Sequence, residues 1–91
     1  MYQLWILPHE KDDSDNYAIE DAYDDGFETD TLEEALVRAG EEDSGEGDIR
    51  IIKLNGEPIR YIHSADGVIV ARSLETLNKA LLKRYGEKVN Y

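Results

Sequence analysis

The chain has 91 residues, 41% hydrophobic and 34% charged, with 21 acidic against 10 basic side chains for a formal charge of -11. That length supports one core rather than two, and the composition excludes a membrane-embedded chain and disorder throughout. With no cysteine, a disulfide framework, a thiolate nucleophile and a Cys-type zinc site are excluded as well.

Tyr2 to Leu7 reads as a central strand, because both alternating sets of side chains are largely apolar. The run is too short for a signal-peptide core and has no basic residue before it, so a cytoplasmic address is expected. Pro8 ends it, and His9 to Asn16 is polar loop. Tyr17 to Ala22 offers a second strand with Tyr17 and Ile19 on one face. Asp24, Asp25 and Gly26 form a turn. Asp30 or Thr31 then caps a helix over Thr31 to Ala39, with Leu32, Ala35, Leu36 and Ala39 on one stripe, Glu33 or Glu34 completing a capping box, and Gly40 as C-cap.

Glu41 to Asp48 contains no apolar residue and reads as an acidic loop. Beyond it, Ile49 to Leu54 is β-rich, Asn55-Gly56 is a strong hairpin signal, and Pro58 to His63 forms the return strand. Asp66-Gly67 turns the chain into Val68 to Arg72. Ser73 caps a helix over Leu74 to Tyr85 that Gly86 terminates, and the last five residues read as a frayed tail. The expectation is an α+β fold: a small antiparallel sheet of four or five strands with two helices packed on one face. It forms a single domain over residues 1–91, comprising an acidic half (1–48), a β-meander plus C-terminal helix (49–86) and a tail (87–91).

Charge is segregated along the chain. Met1 to Asp48 hold 17 acids and two bases, Lys11 and Arg38, whereas Ile49 to Tyr91 hold four acids and eight bases. Such a first half repels nucleic acid and anionic lipid and attracts basic surfaces. Carboxylates on alternate strand positions recur about 6.6 to 6.8 Å apart, and on helices about 5 to 6 Å apart at i, i+3 and i+4. These spacings resemble those of successive phosphates, so a folded acidic surface can occupy a basic groove made for DNA or RNA.

Few motifs compete with that reading. His9 and His63 have no zinc-site context and read as surface or edge histidines. His63, Ser64 and Asp66 hold triad residue types without a nucleophile elbow. Loops starting at Asp21 or Asp43 fail the EF-hand pattern at its ligand positions. No cofactor or metal is expected. Lys79 and Lys83 share a face of the last helix at a spacing that would suit phosphate contacts, but the solvated face that a helix with one apolar stripe requires explains them better.

Asp25-Gly26-Phe27-Glu28-Thr29-Asp30-Thr31-Leu32-Glu33-Glu34-Ala35-Leu36 resembles the segment by which HicB-type antitoxins pass from a strand through a turn into their first helix. With Tyr17 to Ala22 included, the likeness covers about twenty residues. It lacks the Pro-Asp-x-Pro that precedes the Gly in that family and is shorter before Asp30-Thr31. It implies an antitoxin as one form of inhibitor and does not amount to membership.

The functional expectation is a non-enzymatic inhibitor or neutraliser, such as a phage anti-defence protein, antitoxin or immunity protein, acting by nucleic-acid mimicry. It would mask a basic, nucleic-acid-handling or nuclease partner and bind neither nucleic acid nor membrane directly. The candidate contacts are Asp12, Asp13, Asp15, Glu20, Asp21, Asp24, Asp25, Glu28, Glu41, Glu42, Asp43 and Glu46, with Trp5 and Tyr17 or Tyr23 as aromatic anchors. The alternative is an accessory interaction module that docks through an apolar edge or the C-terminal helix, its acidity serving solubility only.

Overall fold

The computed structural model describes residues 1–9, 16–41, 48–65 and 67–90. Five strands, β1 (Tyr2–Leu7), β3 (Tyr23–Thr29), β4 (Ile49–Leu54), β5 (Glu57–Ala65) and β6 (Gly67–Ala71), form an antiparallel sheet in the order β3-β1-β4-β5-β6. The chain is α+β. Its meander is set by local chemistry, with Asn55 and Gly56 both at positive φ (51° and 85°) in the β4–β5 turn. Pro58 pairs with Lys53 beside a register shift, at a strand end where its missing N–H is tolerated.

The two helices, α1 (Leu32–Glu41) and α2 (Leu74–Tyr85), lie on opposite faces of the sheet, not on one face as the pattern suggested. The reason is visible in β1 and β4. Leu4 and Ile52 pair across the strands and pack with Ile62 against Ala35 and Ala39 of α1. Leu7, Ile49 and Ile51 point the other way and pack with Ile69 and Ala71 against Leu77 and Leu81 of α2. Successive strand side chains alternate between faces, so strands apolar at every position need cover on both sides.

A second, parallel pair completes the cover on the α2 side: β2 (Asn16–Ala18) and β7 (Lys88–Asn90). The segment read as one strand from Tyr17 to Ala22 is thus a short strand followed by a 3-10 turn over Ile19–Asp21, and the expected frayed tail is a strand. Tyr17 and Val89 are each essentially fully buried in the α2-side cluster, which Ile19 also joins. Asn78 of α2 ties the tail down. Its Oδ1 accepts from the Val89 N–H at 2.7 Å and its Nδ2 donates to the Val89 carbonyl at 3.2 Å.

The helix ends follow capping chemistry. Thr31 Oγ1 accepts from the Glu34 N–H at 3.2 Å, and Ser73 Oγ accepts from the Thr76 N–H at 3.2 Å. Gly86 closes α2 at φ 69°, whereas α1 runs past Gly40 to Glu41. The Glu34 carboxylate accepts a hydrogen bond from the Thr29 hydroxyl in place of the reciprocal arm of the capping box.

His63, expected at the surface, is 2% exposed, and its Nδ1 has no hydrogen-bond partner among the described residues. Its ring lies 5.0 Å from that of Tyr85 and 6.4 Å from that of Tyr17. Tyr17 in turn donates to Glu87 Oε2 at 3.2 Å and meets the His9 ring edge-on at 5.0 Å. Burial holds the His63 imidazole below its ordinary pKa, with Arg50 and His9 adding repulsion; burial and then the Glu87 carboxylate push the Tyr17 hydroxyl up.

Two consequences are measurable. Val89→Ala leaves a cavity against Tyr17 and should cost about 2 kcal/mol in urea-unfolding free energy, whereas a frayed tail would cost nothing. The depressed His63 pKa means that the unfolded chain binds the proton first. Stability is fully present above about pH 6.5, the unfolded histidine value, falls as pH drops below it, and levels off beneath the folded pKa. His63→Gln should flatten that slope in denaturant titrations between neutral and mildly acidic pH.

Candidate acidic interface

β3 is an edge strand with an irregular middle. Gln3 pairs with Glu28 and Trp5 with Asp24, so residues 25–27 bulge opposite Leu4. Gly26 takes φ 86°, and its N–H donates to Asp24 Oδ1 at 2.8 Å. What reads in sequence as a turn is a strand interrupted by this bulge. Glycine supplies the left-handed conformation, and the short aspartate side chain holds it.

The bulge sorts the acids. Asp24 and Glu28, four apart in sequence, sit opposite β1 residues two apart, so they share a face at about 6.7 Å along the strand. Asp25 is turned toward α1, where its Oδ2 lies 3.9 Å from Arg38 Nη2. The Arg38 guanidinium also stacks 5.4 Å from the Phe27 ring centroid. Between β3 and the first turns of α1 lies an open groove of about 780 Å³, lined by Asp25, Gly26, Phe27, Glu28, Glu33, Glu34, Val37 and Arg38.

Of the candidate contacts, Asp24, Asp25 and Glu28 come together on β3, with Glu20 and Asp21 exposed in the 3-10 turn that leads into it. Glu41 ends α1. Asp12, Asp13, Asp15, Glu42, Asp43 and Glu46 lie outside the described residues. Tyr17 is core and cannot serve as a surface anchor, whereas Tyr23 is 52% exposed. Trp5 is half-buried beneath the Lys53 ammonium, whose Nζ lies 3.7 Å from the ring centroid.

Sequence reasoning placed Glu33 and Glu34 only as helix-capping acids and missed the groove. The available signal was the i, i+4 relation of Glu33 to Val37 and Glu34 to Arg38, which puts an acid and its neighbour on one helical side. The cations of α2 are remote in the fold, on the helix that packs against the opposite sheet edge, β6. Lys79 is engaged there with Glu75 at 3.5 Å, an exposed pair of little energetic weight.

Among the described residues, no group of three His, Asp or Glu side chains is placed to hold a metal ion, and no helix is long and apolar enough to cross a membrane. No family model matches the chain, and neither a curated protein nor a solved structure shows a significant match, so the likeness of Asp25 to Leu36 to HicB-type antitoxins rests on that local sequence alone.

Proposed function

We propose that this chain is a small non-enzymatic inhibitor or neutraliser that masks a basic, nucleic-acid-handling surface of a partner protein. The observation that carries the reading is the set of carboxylates lining the β3–α1 groove, Asp25 and Glu28 from the edge strand and Glu33 and Glu34 from the helix, with Asp24 beside them on β3 and Glu20 and Asp21 in the turn before it. Lysine and arginine side chains entering the β3–α1 groove would meet these carboxylates and form charge-assisted bonds as they would with a polyanion. Phe27 and Val37 give the stems of those side chains an apolar floor. Forms of this function include an anti-defence protein, an antitoxin and an immunity protein, each acting in the compartment of its target, for which the cytoplasm is the natural assignment.

A second reading, an accessory module whose acidity serves solubility, draws on exposed apolar side chains elsewhere: Leu82 on α2, 53% exposed, and Val68 and Val70 on β6.

The test separates the two. A tagged chain recovers the partner from its host, and the complex is then titrated with salt and competed with duplex DNA. Glu20, Glu28 and Glu33 are exposed and make no side-chain bond among the described residues, so reversing them leaves the fold intact. The variant E20K/E28K/E33K should lose roughly a hundred-fold or more in affinity at low salt, since like charges set against a basic surface cost several kcal/mol. It should also flatten the salt dependence, and DNA should compete with the wild type for the partner. Unchanged affinity with no competition would instead favour the accessory-module reading.

A further inference from the structure

β6 is the other edge of the five-stranded sheet, and between Gly67 and Ala71 it carries neither a charge nor a proline. Ile69 and Ala71 are buried on the α2 side, while Val68 is 64% and Val70 55% exposed on the other face. α1 packs on β1, β3, β4 and β5 and leaves these two valines bare. An uncharged edge with outward β-branched side chains is a template for another strand. The β3 edge, by contrast, is protected by its bulge and by Asp24, Asp25 and Glu28.

We propose that a second copy of this chain occupies the β6 edge, pairing antiparallel across a two-fold axis at Ile69 to give one ten-stranded sheet. In that register Val68 of each copy faces Val70 of the other, so the two exposed side chains complement each other twice with no further partner. The charge distribution favours the same arrangement. β3 lies four strand spacings from β6, about 19 Å away, more than two Debye lengths at physiological salt. Pairing through β6 therefore sends both acidic edges outward. Pairing β3 with β3 would oppose their carboxylates, and pairing β3 with β6 would set acids against valines and leave an open, fibre-forming end. Five residues provide about 17 Å of edge, which at a sheet thickness of about 10 Å is a few hundred Å² at most, against the roughly 800 Å² that a stable dimer buries on each partner. The association is consequently weak and concentration-dependent. Raising salt from low to physiological ionic strength tightens it by screening the repulsion between two chains that each carry a charge of -11.

Sedimentation equilibrium of the full chain from micromolar to millimolar concentration tests this. The weight-average mass should climb from 10.4 kDa toward twice that value, further at physiological than at low salt, while V68K/V70K stays monomeric with an unchanged far-UV CD spectrum. The milder V68T/V70T, which keeps the branched shape, should also lower association. A wild type that remains monomeric at millimolar concentration, or valine variants that associate as the wild type does, would overturn the proposal. Because the chain lacks cysteine, the register can be read separately. A mixture of V68C and V70C should oxidise mainly to the unlike pair, and predominance of like pairs refutes a two-fold at Ile69. None of these outcomes bears on the acidic groove, whose binding weakens with salt where this pairing strengthens.

Discussion

Because Leu4 and Ile52 are buried on one side of the sheet and Leu7, Ile49 and Ile51 on the other, both faces must be covered, and the described residues supply two α-helices to cover them. Each helix therefore takes a face alone, and neither is long enough to span five strands. On the α2 side the shortfall is met by β2, β7 and the 3-10 turn, which bring Tyr17, Ile19 and Val89 over the inner strands. The C-terminal residues are structure for this reason, and Asn78 satisfies the backbone that they bury. On the α1 side no such supplement covers β6 among the described residues, and Val68 and Val70 are left exposed.

The same two-sided core decides where charge can go. A carboxylate cannot enter either cluster without a partner, and among the described acids of the first half Glu20, Asp21, Asp24, Asp25, Glu28, Glu33 and Glu34 lie on the β3 edge, the turn before it and the first turns of α1. Protecting an edge from unwanted pairing requires only one or two charges or a bulge. β3 has both, and Glu20, Asp21, Glu33 and Glu34 beyond them. The excess is more than edge protection asks for, and β6 has no such protection at all. Solubility explains net charge without explaining its concentration at one end of the molecule.

Where local chemistry dominates, the fold was legible: Tyr2–Leu7, Ile49–Leu54, the Asn55-Gly56 turn, and Ser73, Leu74–Tyr85 and Gly86 all stand where propensity and capping put them. What failed depends on partners distant in sequence. Val89 looks like tail until Tyr17, 72 positions earlier, supplies a parallel mate. Asp24-Asp25-Gly26 looks like a turn because bulge and turn use the same residues, and only the register with Gln3 and Trp5 tells them apart. The side taken by each helix was undetermined, since strands apolar on both faces accept a helix on either. The candidate site was half legible. Acid density marked the whole stretch from Glu10 to Asp48 without singling out β3, and the part played by Glu33 and Glu34 depends on α1 folding back beside Phe27.

That folding-back distinguishes the acidic edge from a merely acidic segment. Asp24 is engaged by the Gly26 N–H, Asp25 by Arg38, and Glu34 by Thr29, while Arg38 is itself held against Phe27. Side chains already restricted in the free protein lose less freedom on binding than those of a disordered acidic tail, so more of the electrostatic attraction survives as affinity. Their mutual repulsion works in the same direction. It is present in the free protein, and a cationic partner of the kind proposed would relieve it. Arg38 moderates this effect at Asp25, 3.9 Å away, by an amount that a partly exposed ion pair limits to about 1 kcal/mol or less. Among the residues lining the groove Arg38 faces four carboxylates, so the lining stays net anionic, which is the property that the proposed masking of a basic surface requires.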